Sequence, residues 1–371
     1  MRRYLILLMA LAALCLWGCN KEAPYEGTTP PPQETPAPEQ DSTPEGDPNV
    51  EPEVDPVPEV LYRNPLNGAP LEEAWVGRPT AIVINNIKDA LPHYGTSEAD
   101  FIYEGETESG ITRMLAIYDK LEGLDRIGPV RSTRTFFNSV AVSYDAPIIH
   151  CGGSKRGRNA GYEDSGNTIQ NWAHIDATYY ESSYFYRDND RYKYQGYNWE
   201  HCLFTSSELI QKGLVKRELS EPTARSSDFG LKFDDNVQLN GEAANSITIA
   251  FRGSKTTSFT YDAAQKCYKT SQYGKDYIDA DTGEIVVFRN VIALYTDQWI
   301  KSDGEYPRSY YNMTGEGEGL LAIDGKIVPI KWSREGLEDN FRYTLEDGTE
   351  VTLAAGHTYV AITSNTETQY S

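Results

Sequence analysis

The chain has 371 residues and a formal net charge of −21, because its 55 acidic residues outnumber its 34 lysines and arginines. Such an acidic chain disfavours nucleic acid and anionic membrane surfaces as main partners, since both require basic patches. The five cysteines lack the Cys-x-x-Cys spacing of a zinc site, and the glycine-rich run Gly315–Gly319 lacks the spacing of a dinucleotide-binding loop. We therefore expect neither a metal nor a cofactor.

Residues 1–19 predict an export signal. The charged start Arg2-Arg3 precedes an apolar run, Tyr4–Leu16, which has the length of a signal peptide and is too short for a flanked spanning helix. Residues 16–19, Leu-Trp-Gly-Cys, resemble a lipobox, in which a small residue precedes a cysteine that is acylated. An ordinary secretory signal that contains a cysteine is the alternative. The sequence predicts an extracytoplasmic lipoprotein, held to the cell membrane by palmitate-type chains on Cys19.

Residues 20–60 predict a disordered tether. This segment contains 11 prolines, 11 acidic residues and one lysine, and it has almost no bulky apolar side chains. Such a composition buries too little surface to offset the entropy of ordering the chain. At about 3.1 Å per residue in an extended conformation, the segment reaches up to roughly 120 Å from the membrane. A recognition motif for a partner is the alternative.

The next part of the chain, residues 61–220, alternates strand-like and helix-like segments. A short turn, Ser109-Gly110, is typical of a hairpin, and Ser132 is a suitable helix cap. The expected strands and the single helix are Thr80–Asn85, Phe101–Glu106, Ile111–Tyr118, the helix Thr133–Ser143, and Pro147–His150. Strand, hairpin, helix and strand in this order predict an α/β layered domain.

The last part, residues 221–371, has almost no helical periodicity and follows a polar hinge near Lys216–Ser227. Asp-Gly pairs at 324–325 and 347–348 indicate turns, and so does the sequence Asp-Thr-Gly at 281–283. The expected strands are Ser246–Phe251, Thr257–Tyr261, Ile285–Tyr295, Leu320–Ile323, Ile327–Trp332, Phe341–Leu345, Glu350–Leu353 and Tyr359–Thr363. We expect a mostly antiparallel β domain, and hence an α+β or α/β chain overall.

Residues 64–154 contain several short motifs, namely Asn64-Pro65-Leu66, Ile84-Asn85-Asn86, Tyr103-Glu104, Gly110-Ile111-Thr112-Arg113, Gly128-Pro129-Val130-Arg131-Ser132, and His150 with Gly152-Gly153. Together these motifs resemble those of the YerB family of lipoproteins. Arg187-Asp188, His201 before Leu203, and Asn290-Val291 extend the resemblance over nearly all of residues 62–365. The resemblance implies a pair of domains and a membrane tether. It implies no activity, because the family is one of unknown function.

One departure from the family concerns two cysteines. The family usually has alanine or valine after the first histidine and asparagine after the second, whereas this chain has His150-Cys151 and His201-Cys202. Two cysteines in unrelated motifs suggest a disulfide, which requires Cα atoms within about 7 Å. Such a bond would bring the two histidines together. Independent occurrence of the two cysteines is the alternative.

Arg131 and Arg134 lie on either side of the expected cap, Ser132. A helix N-terminus offers free N–H groups and a partial positive charge, and two arginines beside it suit a carboxylate or phosphate ligand. The alternative is an internal ion pair with one of the glutamates at positions 104, 106 and 108.

Glu104 and Glu106 are expected to share one face of their strand. With a two-residue turn, Glu106 falls opposite Arg113, so a cross-strand salt bridge accounts for that pair. Glu104 is left without a partner and is a candidate acid or base. Paired carboxylates occur in glycoside hydrolases, although neighbouring carboxylates on a strand are far commoner without that chemistry.

Aromatic residues are dense between Tyr179 and Tyr197, close to Trp172 and Trp199. Such residues can line a groove in which sugars stack, but they also fill the cores of β-rich domains. The core role is the commoner of the two, so the sequence favours it over a sugar-stacking groove.

The candidate ligand site is a cleft in the N-terminal domain. Our leading hypothesis is a tethered protein that binds an anionic or glycan ligand of the cell envelope there, and we assign no catalytic residue. The alternatives are a cell-wall hydrolase that uses Glu104 or His150 as a base, and a scaffold that docks other envelope proteins through the β domain. The candidate ligand-binding residues are Glu104, Arg113, Arg131, Arg134, His150 and His201.

Overall fold

The computed structural model describes residues 62–154, 172–225, 228–252, 255–302 and 307–371. The expected signal peptide, the acylation site at Cys19 and the tether of residues 20–60 lie outside these residues. Among the described residues, no helix combines the length and apolar character needed to cross a bilayer.

Strands dominate the described residues, and helices are few. The elements of the first half are β1 Tyr62–Arg63, β2 Pro70–Leu71, β3 Thr80–Asn86, β4 Phe101–Glu108, β5 Ile111–Tyr118, α1 Thr135–Ser143, β6 Ile148–His150, β7 His174–Asp176, α2 Ala177–Tyr184, β8 Tyr186–Arg187, α3 Asn189–Lys193, β9 Leu203–Phe204 and α4 Ser207–Lys216. Short 3-10 turns occur at Lys88–Ala90 and Trp199–His201.

The second half contributes strands alone among its described residues. They are β10 Phe233–Asp234, β11 Glu242–Ala243, β12 Ser246–Ala250, β13 Thr256–Asp262, β14 Cys267–Gln272, β15 Lys275–Asp276, β16 Val287–Phe288, β17 Asn290–Tyr295, β18 Gln298–Ser302, β19 Pro307–Tyr311, β20 Gly315–Ile323, β21 Lys326–Arg334, β22 Arg342–Leu345, β23 Leu353–Ala354, β24 Thr358–Thr363 and β25 Gln369–Tyr370.

The largest sheet joins both halves of the chain. Its order is β11-β21-β20-β17-β24-β4-β5-β3-β6-β7, with β22 beside β21. Strand β24 pairs in parallel with β17 on one side and with β4 on the other. A separate α/β layered domain over residues 61–220 is therefore not confirmed, because its strands belong to a sheet that continues into the second half. The division at residues 220 and 221 stays a prediction.

Both faces of this sheet are covered. Strand β3 is buried along its whole length: Ile82 packs in one hydrophobic cluster and Val83 in another. The first cluster includes Phe259 of the β15-β14-β13-β12-β25 sheet, and the second includes Phe137 of α1. Burial on both faces explains why the strand is a continuous apolar run rather than an alternating one.

The expected strand Ile285–Tyr295 is divided in the structure. Val287–Phe288 pairs with β14 in the smaller sheet, whereas Asn290–Tyr295 pairs with β20 and β24 in the larger one. The chain thus changes sheets within one apolar run. Of the expected strand Glu350–Leu353, only Leu353 belongs to a strand.

The hairpin between β4 and β5 has the expected two-residue turn but not the expected register. Ser109 and Gly110 have φ values of 51° and 77°, as a tight hairpin turn requires. A β-bulge between Glu106 and Glu108 inserts one extra residue, so Gly105 lies opposite Arg113. The predicted pairing of Glu106 with Arg113 is therefore wrong by one position.

Helix α1 begins two residues later than expected, and Ser132 does not cap it. Arg134 occupies the N-cap position in an extended conformation, and its side chain makes no capping hydrogen bond. The preceding residues are held in an extended path, because Arg131 N donates to Val83 O (2.9 Å) and Thr133 N donates to Gly152 O (3.1 Å).

Candidate functional site

Three parallel strands end together at one edge of the large sheet. Strands β3, β6 and β7 run parallel to one another, and their last residues include Asn85, His150 and Asp176. Residues 131–134, Arg-Ser-Thr-Arg, cross this edge and are called the edge loop below. In open parallel sheets, ligands bind beyond the carboxyl ends of the strands. This edge is therefore the candidate functional site.

Two buried arginines share one carboxylate beside the edge loop. Arg113 Nη2 lies 2.9 Å from Glu108 Oε1, while Arg134 reaches both carboxylate oxygens, with Nη2 at 2.7 Å from Oε1 and Nε at 3.1 Å from Oε2. The side chains of Arg113 and Arg134 are 4% and 5% exposed, and that of Glu108 is 20% exposed. Both arginines also donate to carbonyl oxygens of the edge loop, at Ser132 (2.9 Å) and Thr133 (2.7 Å).

The electrostatics of this cluster favour the ionised form of Glu108. Burial raises the pKa of Glu108, but the charges of Arg113 and Arg134 outweigh it and bring the pKa to about 2. Burial and the charge of Arg134 lower the pKa of Arg113 well below its ordinary value. Because an arginine keeps its proton in proteins, this lowered pKa reflects the free energy required to hold a second buried cation there.

Arg131 forms a second, more exposed group with three polar residues. Its Nη2 lies 2.6 Å from Glu200 Oε2, and the other carboxylate oxygen of Glu200 is 3.6 Å from His201 Nε2. His201 Nδ1 accepts from Asn85 Nδ2 (2.9 Å), which assigns the ring proton to Nε2. Burial lowers the pKa of His201. Glu200 is 52% exposed and forms the outer side of this group.

His150 is buried within the turn that follows β6. Its Nδ1–H donates to Gly152 O (2.7 Å), the same carbonyl that accepts from Thr133 N of the edge loop. Asp176 Oδ1 accepts from Gly152 N (2.7 Å) and Thr178 N (2.9 Å) and lies 3.9 Å from His150 Nδ1. Burial raises the pKa of Asp176, but His150 and these N–H groups outweigh burial and bring the pKa below its ordinary value. These contacts fix the backbone on which the edge loop rests.

Glu104 lies on the other face of the sheet. In the β4–β5 pair Glu104 is opposite Met114, whereas Arg113 is opposite Gly105, so the side chains of Glu104 and Arg113 point to opposite faces. Burial raises the pKa of Glu104, but Lys255 (3.2 Å) and several hydrogen bonds lower it below its ordinary value. The carboxylate accepts from Asn86 (2.8 Å), Thr112 (2.5 Å), Thr257 (2.8 Å) and Tyr359 (2.6 Å).

The structure thus gathers five of the six candidate ligand-binding residues around the edge loop and leaves Glu104 apart. Sequence reasoning missed three contributors. Glu200 directly precedes His201 and was detectable as its neighbour. Asp176 was detectable as the acidic end of the short run His174–Asp176. Lys255 was not detectable, because nothing in its own segment pairs it with a strand so distant in the sequence.

The expected disulfide is absent from the structure. Cys151, Cys202 and the buried Cys267 are all free thiols. The Cys202 thiol is directed into its own 3-10 turn, with Sγ at 3.4 Å from Asn198 O. Burial raises the pKa of both the Cys151 and Cys202 thiols, so neither is activated as a thiolate.

Four cavities formed by described residues lie away from the edge loop. Their volumes are about 320, 710, 360 and 450 Å³. The largest is lined by Cys267, Phe288, Arg289 and His357, among others, and none of the four is lined by a candidate site residue. In the described part of the chain, no group of three or more His, Cys, Asp or Glu side chains is arranged to hold a metal ion.

Known proteins match both halves of the chain. Residues 66–220 and 247–360 match the N-terminal and C-terminal domains of a family described as a protein of unknown function (DUF3048). A relative from Bacillus subtilis (strain 168), named "Putative lipoprotein YerB", is 26% identical over 308 residues, covering 80% of this chain and 85% of the relative. The resemblance read from the motifs is therefore confirmed.

A crystal structure of the YerB protein from Bacillus subtilis has the same fold. It matches with a TM-score of 0.67 at 22% identity, covering 83% of this chain and 99% of that one. The two family domains together span well over half of the present sequence. This protein therefore belongs to the DUF3048 family of proteins of unknown function.

Proposed function

We propose that this protein is an extracytoplasmic lipoprotein that binds an anionic ligand of the cell envelope at the edge loop. In this proposal, acyl chains on Cys19 hold the protein to the bilayer, and residues 20–60 extend it from the surface. The name of the relative supports the lipoprotein part. The ligand part rests on the arginines.

The observation that carries the ligand proposal is the shared carboxylate of Glu108. The nearly buried guanidinium groups of Arg113 and Arg134 both contact this one carboxylate, so the cluster of these three side chains has more positive than negative charge. A buried charge without full compensation is unfavourable, and an incoming anion relieves it. Arg131 lies at the outer side of the same loop and has an exposed carboxylate, Glu200, as its ion-pair partner.

The chemistry of the proposed ligand follows from the guanidinium group. Arginine binds carboxylates and phosphates through two parallel hydrogen bonds, and Glu200 is sufficiently exposed for an anion to replace it on Arg131. Binding is favoured over hydrolysis, because Glu104 is fully buried, has a lowered pKa and already accepts hydrogen bonds on both oxygens. A general base must reach the proton that it removes.

The experiment measures binding of the full-length chain, in non-ionic detergent, to soluble cell-wall fragments and to poly(glycerol phosphate). Arg131→Gln removes the outer guanidinium, and we expect its affinity to fall about tenfold. The matched control is Arg342→Gln, because Arg342 is 73% exposed and its ion pair with Glu350 is long, at 3.8 Å. We also expect the affinity of the wild-type chain for these anions to fall as the salt concentration is raised.

Two results would overturn this proposal. One is that the wild-type chain shows saturable binding to none of these anions. The other is an Arg131→Gln chain that binds as tightly as the Arg342→Gln control.

A further inference from the structure

Two aromatic side chains stand exposed next to the edge loop. Tyr192 of α3 and Trp199 are 44% and 43% exposed, and their ring centroids lie 5.0 Å apart at an interplanar angle of 73°. These two rings are called the aromatic platform below. Large exposed aromatic side chains in contact with each other are typical of binding surfaces.

The platform is held rigidly from below. Arg191 lies directly before Tyr192 in the same helix and is buried. Its Nη2 donates to Ala90 O (2.5 Å), and its guanidinium lies 3.8 Å from the centre of the Tyr197 ring. On the other side, buried His201 closes the turn that carries Trp199. The exposure of the two rings is therefore a feature of an anchored segment and not of a loose one.

Two pairs of opposite charges flank the platform. Arg187 forms a two-pronged ion pair with Glu181, with both distances 3.0 Å, and its guanidinium lies 5.1 Å from the centre of the Trp199 ring. Arg187 Nη1 also donates to Trp199 O (2.9 Å). On the other side, Glu200 directly follows Trp199 and contacts Arg131 of the edge loop. The platform is therefore continuous with the proposed anion site.

This combination suits a sugar ring. One face of a pyranose consists of C–H groups, whose partial positive charge is attracted to the negative face of an aromatic ring. The hydroxyl groups at its rim both donate and accept hydrogen bonds, which carboxylate and guanidinium groups can satisfy together. A purely apolar partner would leave the two flanking charged pairs desolvated and unsatisfied.

We infer that Tyr192 and Trp199 form a sugar-stacking subsite that extends the anion site at Arg131, so that the ligand is an anionic glycan. The inference rests on the proposed function for its charged half. The charge of the glycan is a carboxylate or a phosphate, since both fit a guanidinium group equally.

The test uses the full-length chain and four soluble probes. Oligogalacturonate carries sugar rings with carboxylates, a hexose-phosphate oligosaccharide carries rings with phosphates, chitohexaose carries neutral rings, and poly(glycerol phosphate) carries charge without rings. Trp199→Ala and Tyr192→Ala remove the platform, while Trp199→Phe retains a ring. Tyr179→Ala is the matched control, because Tyr179 is an exposed tyrosine on the neighbouring helix α2.

We expect Trp199→Ala to weaken binding of at least one anionic glycan about fivefold or more, and to leave the affinity for poly(glycerol phosphate) unchanged. Trp199→Phe should retain most of the affinity, and Tyr179→Ala should bind as the wild type does. The glycan that binds more tightly identifies the anionic group. An unchanged affinity for poly(glycerol phosphate) also shows that the edge loop of the variant is intact.

Two outcomes separate this inference from the proposed function. If Trp199→Ala and Tyr192→Ala bind both anionic glycans as the wild type does, while poly(glycerol phosphate) still binds, the sugar-stacking subsite is refuted and anion binding stands. If none of the charged probes binds the wild-type chain, both are refuted. Should Trp199→Ala unfold, the same comparison is decided by Tyr192→Ala.

Discussion

At the scale of single residues, Glu108 is the carboxylate on which the edge loop depends. It joins Arg113 of β5 to Arg134 at the start of α1, and these two arginines in turn hold the carbonyl groups of Ser132 and Thr133. Removing this one negative charge leaves two buried guanidinium groups facing each other. The loss of a single partner in a buried cluster is therefore more damaging than the loss of an exposed pair.

Replacing Glu108 with glutamine should change how stability depends on pH. The folded-state pKa of Glu108 is about 2, below its ordinary 4.5, so its ionised form stabilises the fold above pH 4.5 and this contribution is lost as the pH falls towards 2. The shift corresponds to roughly 3 kcal/mol. The difference in free energy of unfolding between wild type and Glu108→Gln should shrink by about that amount between pH 7 and pH 2, in urea unfolding experiments.

The comparison with a variant is needed because Glu106 acts in the opposite direction. Burial raises the pKa of Glu106, so its contribution weakens as the pH rises. Glu367→Gln, which removes a carboxylate at an exposed position, serves as the control. A Glu108→Gln chain whose deficit is constant from pH 7 to pH 2 would contradict the ion-pair role of Glu108.

The buried pair of Glu104 and Lys255 gives a second prediction at this scale. Lys255→Met should lower the free energy of unfolding by about 3 to 5 kcal/mol, because it leaves the Glu104 carboxylate charged and buried without a cation. The double variant Glu104→Gln/Lys255→Met should be less damaged than this single variant. Lys269→Met breaks a partly exposed pair with Asp262 and should lower the free energy of unfolding far less than Lys255→Met does. Equal losses for Lys255→Met and Lys269→Met would argue against a buried, coupled pair.

At the scale of elements, the β4–β5 hairpin positions Arg113 relative to Glu108. The turn itself was predictable, since Ser109-Gly110 lies between two strand-like runs. The bulge was not, because Thr107 carries no signature that distinguishes an extra residue from a regular one. The bulge decides which face each side chain takes next to the turn.

Gly110→Val should destabilise the protein by about 1 to 2 kcal/mol, because Gly110 has a φ of 77°, which a β-branched residue adopts poorly. Ser109→Asn is the matched variant at the neighbouring position, where φ is 51°, and it should be neutral or stabilising because asparagine tolerates this conformation. Thermal melts of both variants test this. A fully stable Gly110→Val chain would be incompatible with the turn geometry.

Local and distant features of the candidate site differed in how well the sequence revealed them. The strands and the edge-loop arginines were visible because they depend on nearby residues. The ion pairs of Glu104 with Lys255 and of Arg131 with Glu200 were not, since each joins segments far apart in the chain. The predicted role of Ser132 as a helix cap is wrong, because hydrogen bonds to β3 and to the turn after β6 determine the path of the edge loop.

At the scale of the whole molecule, the two family domains share one sheet. The described residues, from 62 onward, belong to a single compact unit, and β24 of the second half lies between β17 and β4. The hydrogen bond from Tyr359 to Glu104 spans 255 residues of sequence. The halves are thus connected by backbone pairing as well as by side chains.

We expect a single cooperative unfolding transition, because separation of the halves would expose an unpaired edge of β4 and the buried Glu104. Calorimetric and van't Hoff enthalpies of the full-length chain should agree. A fragment of residues 62–225 should not fold alone. Two resolved transitions, or a stably folded fragment, would show that the halves are independent.

The lipid anchor gives the last prediction. Cys19→Ala removes the thiol that acyl transfer requires, so the variant should leave the membrane fraction or remain uncleaved. Cell fractionation with immunoblotting measures this, and Cys267→Ala, which changes a buried cysteine of the folded part, is the control and should remain with the membrane. A processed Cys19→Ala chain that is still retained by the membrane would refute the proposed anchor.

The central place of β24 has a consequence for the order in which the protein is made. Strand β4 is synthesised early, but the strand that lies against it is supplied by residues 358–363, so the sheet cannot close until nearly the entire chain is present. Pairing across such a distance is slow to form. For an exported protein such as the proposed lipoprotein, this delay is an advantage, because the N-terminal half does not complete its fold before the last strand has also crossed the membrane.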